Sequence, residues 1–332
     1  MTDPLVLVIG ATGQLGSAVV RKLLARCRKV RALVRPDSRV EHLKSLAVET
    51  VAGDLRDRGS LQRACQGADY VIATASAALP RKPSDRFGAV DRDGYRDLIN
   101  AALQCGIRQF IYTSVATLAH EELVPLFRCK RETERYLISS GLPYTIVRAA
   151  AFMDVSFAML GSDLPIRGAE APSVERPFWF SRRFFQKVRT DVARGRANVP
   201  GDGSTRHSFI AIGDVAEYLV RAVGAPLARN RILEVGGPEA LSSLQVVKIY
   251  EDLLARPVRP VHTPALVFGA LRRALALVSP AASNLMGINY LSATEDGVVP
   301  AACETAAQFG IDLTTAEQFL RSKRKDLGRE DD

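Results

Sequence analysis

Three glycines, Gly10, Gly13 and Gly16, stand at regular spacing in Gly10-Ala11-Thr12-Gly13-Gln14-Leu15-Gly16, close to the start of the chain. Residues without a Cβ let a backbone turn approach a ligand closely, and the amides that open a following helix face negative charge. The chemistry this suits is the cradling of a pyrophosphate. A second candidate is Arg35, at the end of the next apolar run. A dinucleotide site would set an acidic residue there against a ribose 2′-hydroxyl, whereas a guanidinium suits a 2′-phosphate. Asp37, close behind it, serves the hydroxyl instead if the loop bends differently.

These residues need particular elements to position them. Leu5-Val6-Leu7-Val8-Ile9 reads as a strand buried on both faces. From Ser17 the spacing turns helical, with Val19, Val20, Leu23 and Leu24 on one stripe and Arg21, Lys22 and Arg26 off it. The order strand, glycine turn, helix gives the glycines their meaning. It assigns Gly10, Thr12, Gly13, Gln14, Leu15 and Gly16 to the pyrophosphate. Further strands are expected at 29–34, 48–52, 70–74, 109–113 and 143–147, with a helix over 88–105 before the strand at 109–113. Such alternation predicts an α/β fold, a Rossmann-type doubly wound parallel sheet with a smaller mixed C-terminal lobe. Thr74 and Ala75 end the fourth strand with small side chains that leave room for a cofactor, and Thr113 ends the fifth. The expected cofactor is NADP(H).

The second half is organised differently. Residues 161–177 are rich in glycine, proline and charge, as in a lid or loop. In 178–189, Phe180, Phe184 and Val188 recur at helical spacing beside Arg182, Arg183, Lys187 and Arg189, with Trp179 adjacent. That segment suits packing over a site, a protein complex or a membrane surface. Strand Ile232 to Val235 and helical patterns at 242–254, 264–278 and 314–323 follow. The expected division is a dinucleotide-binding domain over 1–155, a basic aromatic insert over 156–200, a substrate or partner lobe over 201–325 and a tail over 326–332.

Composition narrows the class. With 47% hydrophobic and 24% charged residues, the 332-residue chain has globular composition. No apolar run reaches the ~18 residues of a membrane span. Five cysteines without a C-x-x-C pair suit reduced thiols and argue against a zinc site, so no metal is expected. The net charge of +9 fits an anionic cofactor, an acidic partner or a membrane surface, but nothing resembles a nucleic-acid-binding module. The expected location is the cytoplasm or an organelle stroma or matrix, soluble or peripheral to a membrane.

Gly-Ala-Thr-Gly-Gln-Leu-Gly resembles the atypical short-chain dehydrogenase/reductases, and among them the NmrA-like group. Pro143-Tyr144-Thr145-Ile146-Val147-Arg148, followed by Phe152-Met153, is similar to the same group. The last hundred residues, including Val235-Gly236-Gly237-Pro238-Glu239, look like the branch of the photosystem assembly factors, with a respiratory complex I accessory subunit more distant. The resemblance implies that Asp54, with Leu55, lies beside the adenine. It also implies that Phe152 and Met153 form an apolar substrate wall, to which Trp179 is added. Short-chain reductases pair a serine after the fifth strand with a Tyr-x-x-x-Lys helix, the tyrosine as proton donor. Ser114 and Lys130 match, but the tyrosine slot holds Leu126, and none of the 8 tyrosines has a lysine four residues on. Three readings stay open. Lys130 anchors the nicotinamide ribose and relays the proton, His120 does so in its place, or the site only binds the nucleotide. The expected function is NADPH-dependent reduction of a small apolar, conjugated or quinone-like substrate. The alternative is a catalytically silent NADP-binding scaffold, redox sensor or assembly factor for a membrane complex.

Overall fold

A computed structural model describes residues 3–161 and 193–327, apart from 39, 41, 42, 44, 79, 81, 83 and 84; between these stretches it describes only 183, 186–188, 190 and 191. The first elements are β1 (Leu5–Ile9), α1 (Gln14–Ala25), β2 (Lys29–Val34), β3 (Val48–Ala52), α2 (Arg58–Cys65) and β4 (Tyr70–Ala73). A π-helical segment, Gly88–Gly94, leads into α3 (Tyr95–Gln104), then β5 (Gln109–Val115), α4 (Pro125–Ser139) and β6 (Tyr144–Ala149). After α5 (Met153–Leu160) come β7 (Arg196–Pro200), β8 (Arg206–His207), α6 (Ile212–Arg221), β9 (Arg231–Val235) and β10 (Leu241–Ser242). The remainder is α7 (Ser243–Leu254), β11 (Arg259–Thr263), α8 (Ala265–Ala276), α9 (Pro280–Thr294), α10 (Ala302–Gln308) and α11 (Ala316–Leu327).

The chain forms two units, and its path between them is interleaved. The first takes residues 1–115, 126–148 and 212–233; the second takes 116–125, 149–211 and 234–332. A single crossing near 155 is therefore replaced by several, because the stretch that completes the sheet comes from beyond residue 211.

The first unit is built on a seven-stranded sheet of order β3-β2-β1-β4-β5-β6-β9, with β3-β2-β1-β4-β5 paired in parallel. This is the doubly wound topology expected, and its order reverses between β1 and β4. Alternating side chains explain why β1 is apolar throughout. Leu7 and Ile9 join a core with Leu61, Ala64, Leu98, Ile99, Phe110 and Tyr112, while Val6 and Val8, equally buried, point to the other face near α1. On that side α1 packs on α6, and Glu217 of α6 bridges Lys22 of α1 and Arg26, the residue that ends it. The expected helix over 88–105 begins as the π-helical segment, which carries Asp91 into the interior.

The second unit has its own core, in which Phe157 packs edge-on against Phe209, Tyr250 and Phe319. Two small sheets accompany it, β10-β8 and β11-β7. Helix α7 starts with a complete capping box: Ser242 Oγ accepts from the Gln245 amide, and Gln245 Oε1 accepts from the Ser242 amide. Removing the hydroxyl leaves a helix-opening amide without its partner. Ser242→Ala is therefore expected to lower stability by about 1 kcal/mol in urea unfolding, with cofactor affinity unchanged.

Candidate functional site

The carboxyl ends of β1 and β4 lie side by side where the strand order reverses. Gly10 holds φ +90°, and a Cβ on it would stand 2.7 Å from the Ala75 amide nitrogen and 2.9 Å from Thr74 Oγ1. Only glycine fits that position. Thr74 fastens the two strand ends, since its amide and its hydroxyl both donate to the Ile9 carbonyl at 2.9 Å. The Gly13 amide then donates to the Gly10 carbonyl at 2.9 Å, closing the turn. Gly13 caps α1 without any side-chain oxygen, and the first turn of the helix holds no acidic residue. A helix start with no carboxylate of its own favours an anion from outside. Gly16 completes the arrangement, because a Cβ there would fall 2.1 Å from the Gly10 carbonyl oxygen. Leu15 is buried and serves packing, while Thr12 and Gln14 are half-buried at the turn itself.

Arg35 and Asp54 sit beyond the carboxyl ends of β2 and β3. Arg35 Nη1 donates to both carboxylate oxygens of Asp85 at 3.2 Å. Asp85 also lies 3.7 Å from Arg56 Nη1. Arg56 meanwhile grips Asp54 at both oxygens, at 2.8 and 2.7 Å, and that hydrogen-bonded pairing holds the Asp54 carboxyl below its usual range. Two guanidiniums thus share this corner, and sequence reading found only one. The signal for Arg56 was its place two residues after Asp54. Leu55 turns inward and packs in the core against Gly94, so only its backbone faces the loop. Asp37 pairs with Lys82 at 2.7 Å.

The corner at the end of β5 is a buried polar cluster. Lys130 is only 6% exposed and donates from Nζ to the Thr113 carbonyl at 3.0 Å. Nζ also lies 5.1 Å from the centre of the Tyr112 ring and 3.9 Å from Asp91 Oδ1. A surface pair between Lys130 and Glu134, which their i,i+4 spacing suggests, does not form. Glu134 instead accepts from Arg131 at 2.6 Å and from Arg148 at 2.6 Å. Arg131 also donates to Ser114 Oγ at 3.3 Å and to the Val115 carbonyl. Asp91 is fully buried, with Oδ2 accepting from the Ala77 amide at 2.9 Å. Burial pushes the Asp91 carboxyl up and the Lys130 ammonium down from their ordinary values, each opposed by the charge of the other. A lysine so placed releases its proton more readily than one in water. Two buried atoms here, Asp91 Oδ1 and Thr113 Oγ1, have no hydrogen-bond partner among the described residues. A polar ligand group would satisfy them. Leu126, in the tyrosine slot, is a core residue.

The other sequence candidates belong to the second unit. His120 is exposed and its Nδ1 meets Glu295 Oε1 at 2.5 Å, so it takes no part in the cluster around Lys130. Met153 packs in the apolar core with Phe157 and Phe209, which makes it a packing residue. Phe152 is half-buried and forms a bridge with Ile210. Trp179, and all of 178–189 except 183 and 186–188, lie outside the described residues.

Comparison with known proteins gives a consistent picture. The model of the NmrA-like family matches residues 2–296. The chain is 26% identical over 322 residues to the photosystem II assembly factor Ycf39 of Synechocystis, covering 95% of this chain and 89% of that protein. It is 28% identical over 258 residues to the NAD(P)H azoreductase of Xenophilus azovorans, covering 77% and 76% of the two chains. Among solved structures, the NADPH-dependent quinone oxidoreductase QOR2 of Escherichia coli, crystallised with NADPH, superposes with a TM-score of 0.70 at 20% identity. That match covers 96% of this chain and 99% of the other.

Proposed function

We propose, for a chain that belongs to the NmrA-like family, that it binds NADP(H) and reduces a small apolar, conjugated substrate of quinone-like character. The observation that carries the reading is the corner formed by the backbone-only turn at Gly10–Gly16 and the guanidiniums of Arg35 and Arg56. The turn would receive the pyrophosphate, and the arginines would receive a 2′-phosphate in exchange for part of their hold on Asp85. Asp54, clamped by Arg56, would border the adenine side of the same corner. Thr74, Ala75 and Thr113 would line the path toward the nicotinamide.

When bound, NADPH supplies the hydride. The chain's own contribution is placement and proton handling. Lys130 would hold the nicotinamide ribose and, with its ammonium weakened by burial, pass a proton toward the substrate oxygen or nitrogen. Ser114 would be fixed by Arg131 as a polar neighbour. The azoreductase likeness and the quinone oxidoreductase fold support the reductase reading.

A second reading is favoured by a specific observation: the assembly factor Ycf39 matches 95% of this chain, and the usual phenol is replaced by Leu126. There the nucleotide would be structural and the chain would serve a protein complex. The purified protein separates the two. Oxidation of NADPH in the presence of quinones or azo compounds, abolished in Lys130→Met, supports the enzyme. Bound NADPH that stays unreacted across such a panel overturns it.

The phosphate preference has its own expected result. Arg35→Ser should weaken NADPH binding about 30-fold, the loss of a charge-assisted contact of about 2 kcal/mol, while NADH binding stays within about twofold. Titration calorimetry with both nucleotides measures it. Equal losses for the two would remove Arg35 from the phosphate site.

A further inference from the structure

The most exposed large apolar side chains among the described residues lie together. Leu266 is 83% exposed, Leu277 92% and Val278 82%, and every other exposed large apolar residue among those described is near or below half that. All three belong to α8 and the turn that ends it. Along α8, Leu266, Ala270, Arg273 and Leu277 follow one line, and Val267, Leu271, Ala274 and Val278 run beside it, all of them exposed. The opposite side of α8 packs on α9, where Gly269 approaches the Tyr290 ring and the Arg272 carbonyl accepts from Ser283 Oγ. The outer face is therefore an apolar strip with nothing over it among the described residues.

Its charge surroundings are one-sided. From Ala255 to Thr294 the sequence holds no aspartate or glutamate, while Arg256, Arg259, Arg272 and Arg273 fall within that run. Arg273 is exposed in the middle of the apolar strip, and Arg259 is exposed on β11, which leads into α8. A second copy of the chain is a poor occupant. A two-fold contact of this face with itself would bring arginines together with no carboxylate from the run to answer them. An anionic bilayer answers both features, since leucine and valine enter the acyl boundary while arginines meet the headgroups. At 12 residues α8 is about 18 Å long, suited to lying in the interface, and no helix among the described residues is long and apolar enough to cross a membrane.

We propose that α8 docks this protein on the surface of an anionic phospholipid bilayer, with Leu266, Leu277 and Val278 inserted and Arg273 at the headgroups. The proposal is independent of whether the chain is an enzyme. The test is co-sedimentation of the full chain with vesicles of phosphatidylcholine alone and with added phosphatidylglycerol, at low and high salt. Wild type should bind the phosphatidylglycerol vesicles at least about tenfold better, and high salt should release it. Leu277→Asp with Val278→Ser should lower that binding about tenfold, and Arg273→Glu by a similar factor. Both changes lie on the surface, so unfolding midpoint and NADPH binding should not move. Equal binding to both vesicle types, no binding at low salt, or full binding by the variants would each overturn the proposal. So would a concentration-dependent dimer that Leu277→Asp dissociates, since that would make a second copy the occupant.

Discussion

Replacing Gly16 with alanine should abolish dinucleotide binding and destabilise the protein by about 3 kcal/mol. The added methyl would meet three backbone atoms: the Gly10 carbonyl oxygen at 2.1 Å, its carbon at 2.6 Å and the Ala11 Cα at 2.9 Å. None is the mobile end of a side chain, so relief requires α1 and the turn to move apart. Movement of either displaces the amides that would face the pyrophosphate. Gly13→Ala provides the contrast. Gly13 has φ −87°, which any residue adopts, and a Cβ there would meet only the Gly10 carbonyl oxygen, at 3.3 Å. Stability should fall by less than about 1 kcal/mol while NADPH affinity drops about tenfold or more, because the methyl occupies the approach of the ligand to the turn. Urea unfolding and nucleotide titration of both variants measure the two effects. If Gly13→Ala binds NADPH as wild type does, the turn is a structural connection and the proposed cofactor site is wrong.

Lys130→Met should cost about 3–5 kcal/mol of stability, apart from its effect on turnover. Asp91 is fully buried, and Lys130 carries the cationic charge that opposes its rise. Without the ammonium, the carboxylate either stays charged in an apolar setting or remains protonated. The direction with pH follows from the raised carboxyl. A group whose folded value lies above its unfolded value near 3.8 favours folding at low pH and loses that contribution as pH rises through the folded value. The variant should therefore be closest to wild type at the acid end and fall away as pH rises above the unfolded carboxyl value near 3.8. Adding Asp91→Asn should recover much of the loss and flatten the pH dependence, because the amide needs no counter-charge. A Lys130→Met protein as stable as wild type at pH 8 would mean that the pair carries no energetic weight.

The proposed cofactor corner was legible because its determinants are local. The apolar run Leu5–Ile9, the glycine spacing and the helical stripe from Val19 to Leu24 each declare themselves within a few residues. The alternation of later strands then gave the sheet. Lys130 shows where such reading stops. On sequence, its i,i+4 relation to Glu134 describes a solvated helix face, yet the fold turns Lys130 inward to Asp91, on a π-helical segment far away in the chain. Glu134 is taken by Arg131 and Arg148. Which partner a charge finds is decided by tertiary placement, and no spacing rule reports it. Arg56 is a mixed case: its grip on Asp54 is local, two residues away, but its approach to Asp85 comes from a separate loop. In the second unit, β11 is Arg-Pro-Val-His-Thr, polar and interrupted by proline, and α9 spreads small and apolar residues around its circumference. Neither has the periodicity that marks a strand or a helix.

The interleaved chain path has a consequence for biosynthesis. Because β9 is the last strand of the sheet, β6 remains an open edge on the ribosome until Val235 has been translated. For that interval the nascent chain carries an apolar strand paired along one side only, the kind of edge that recruits chaperones or templates aggregation. The same topology prevents the two units from being exchanged as cassettes between relatives, since a splice near residue 155 would separate the sheet from both its final strand and α6.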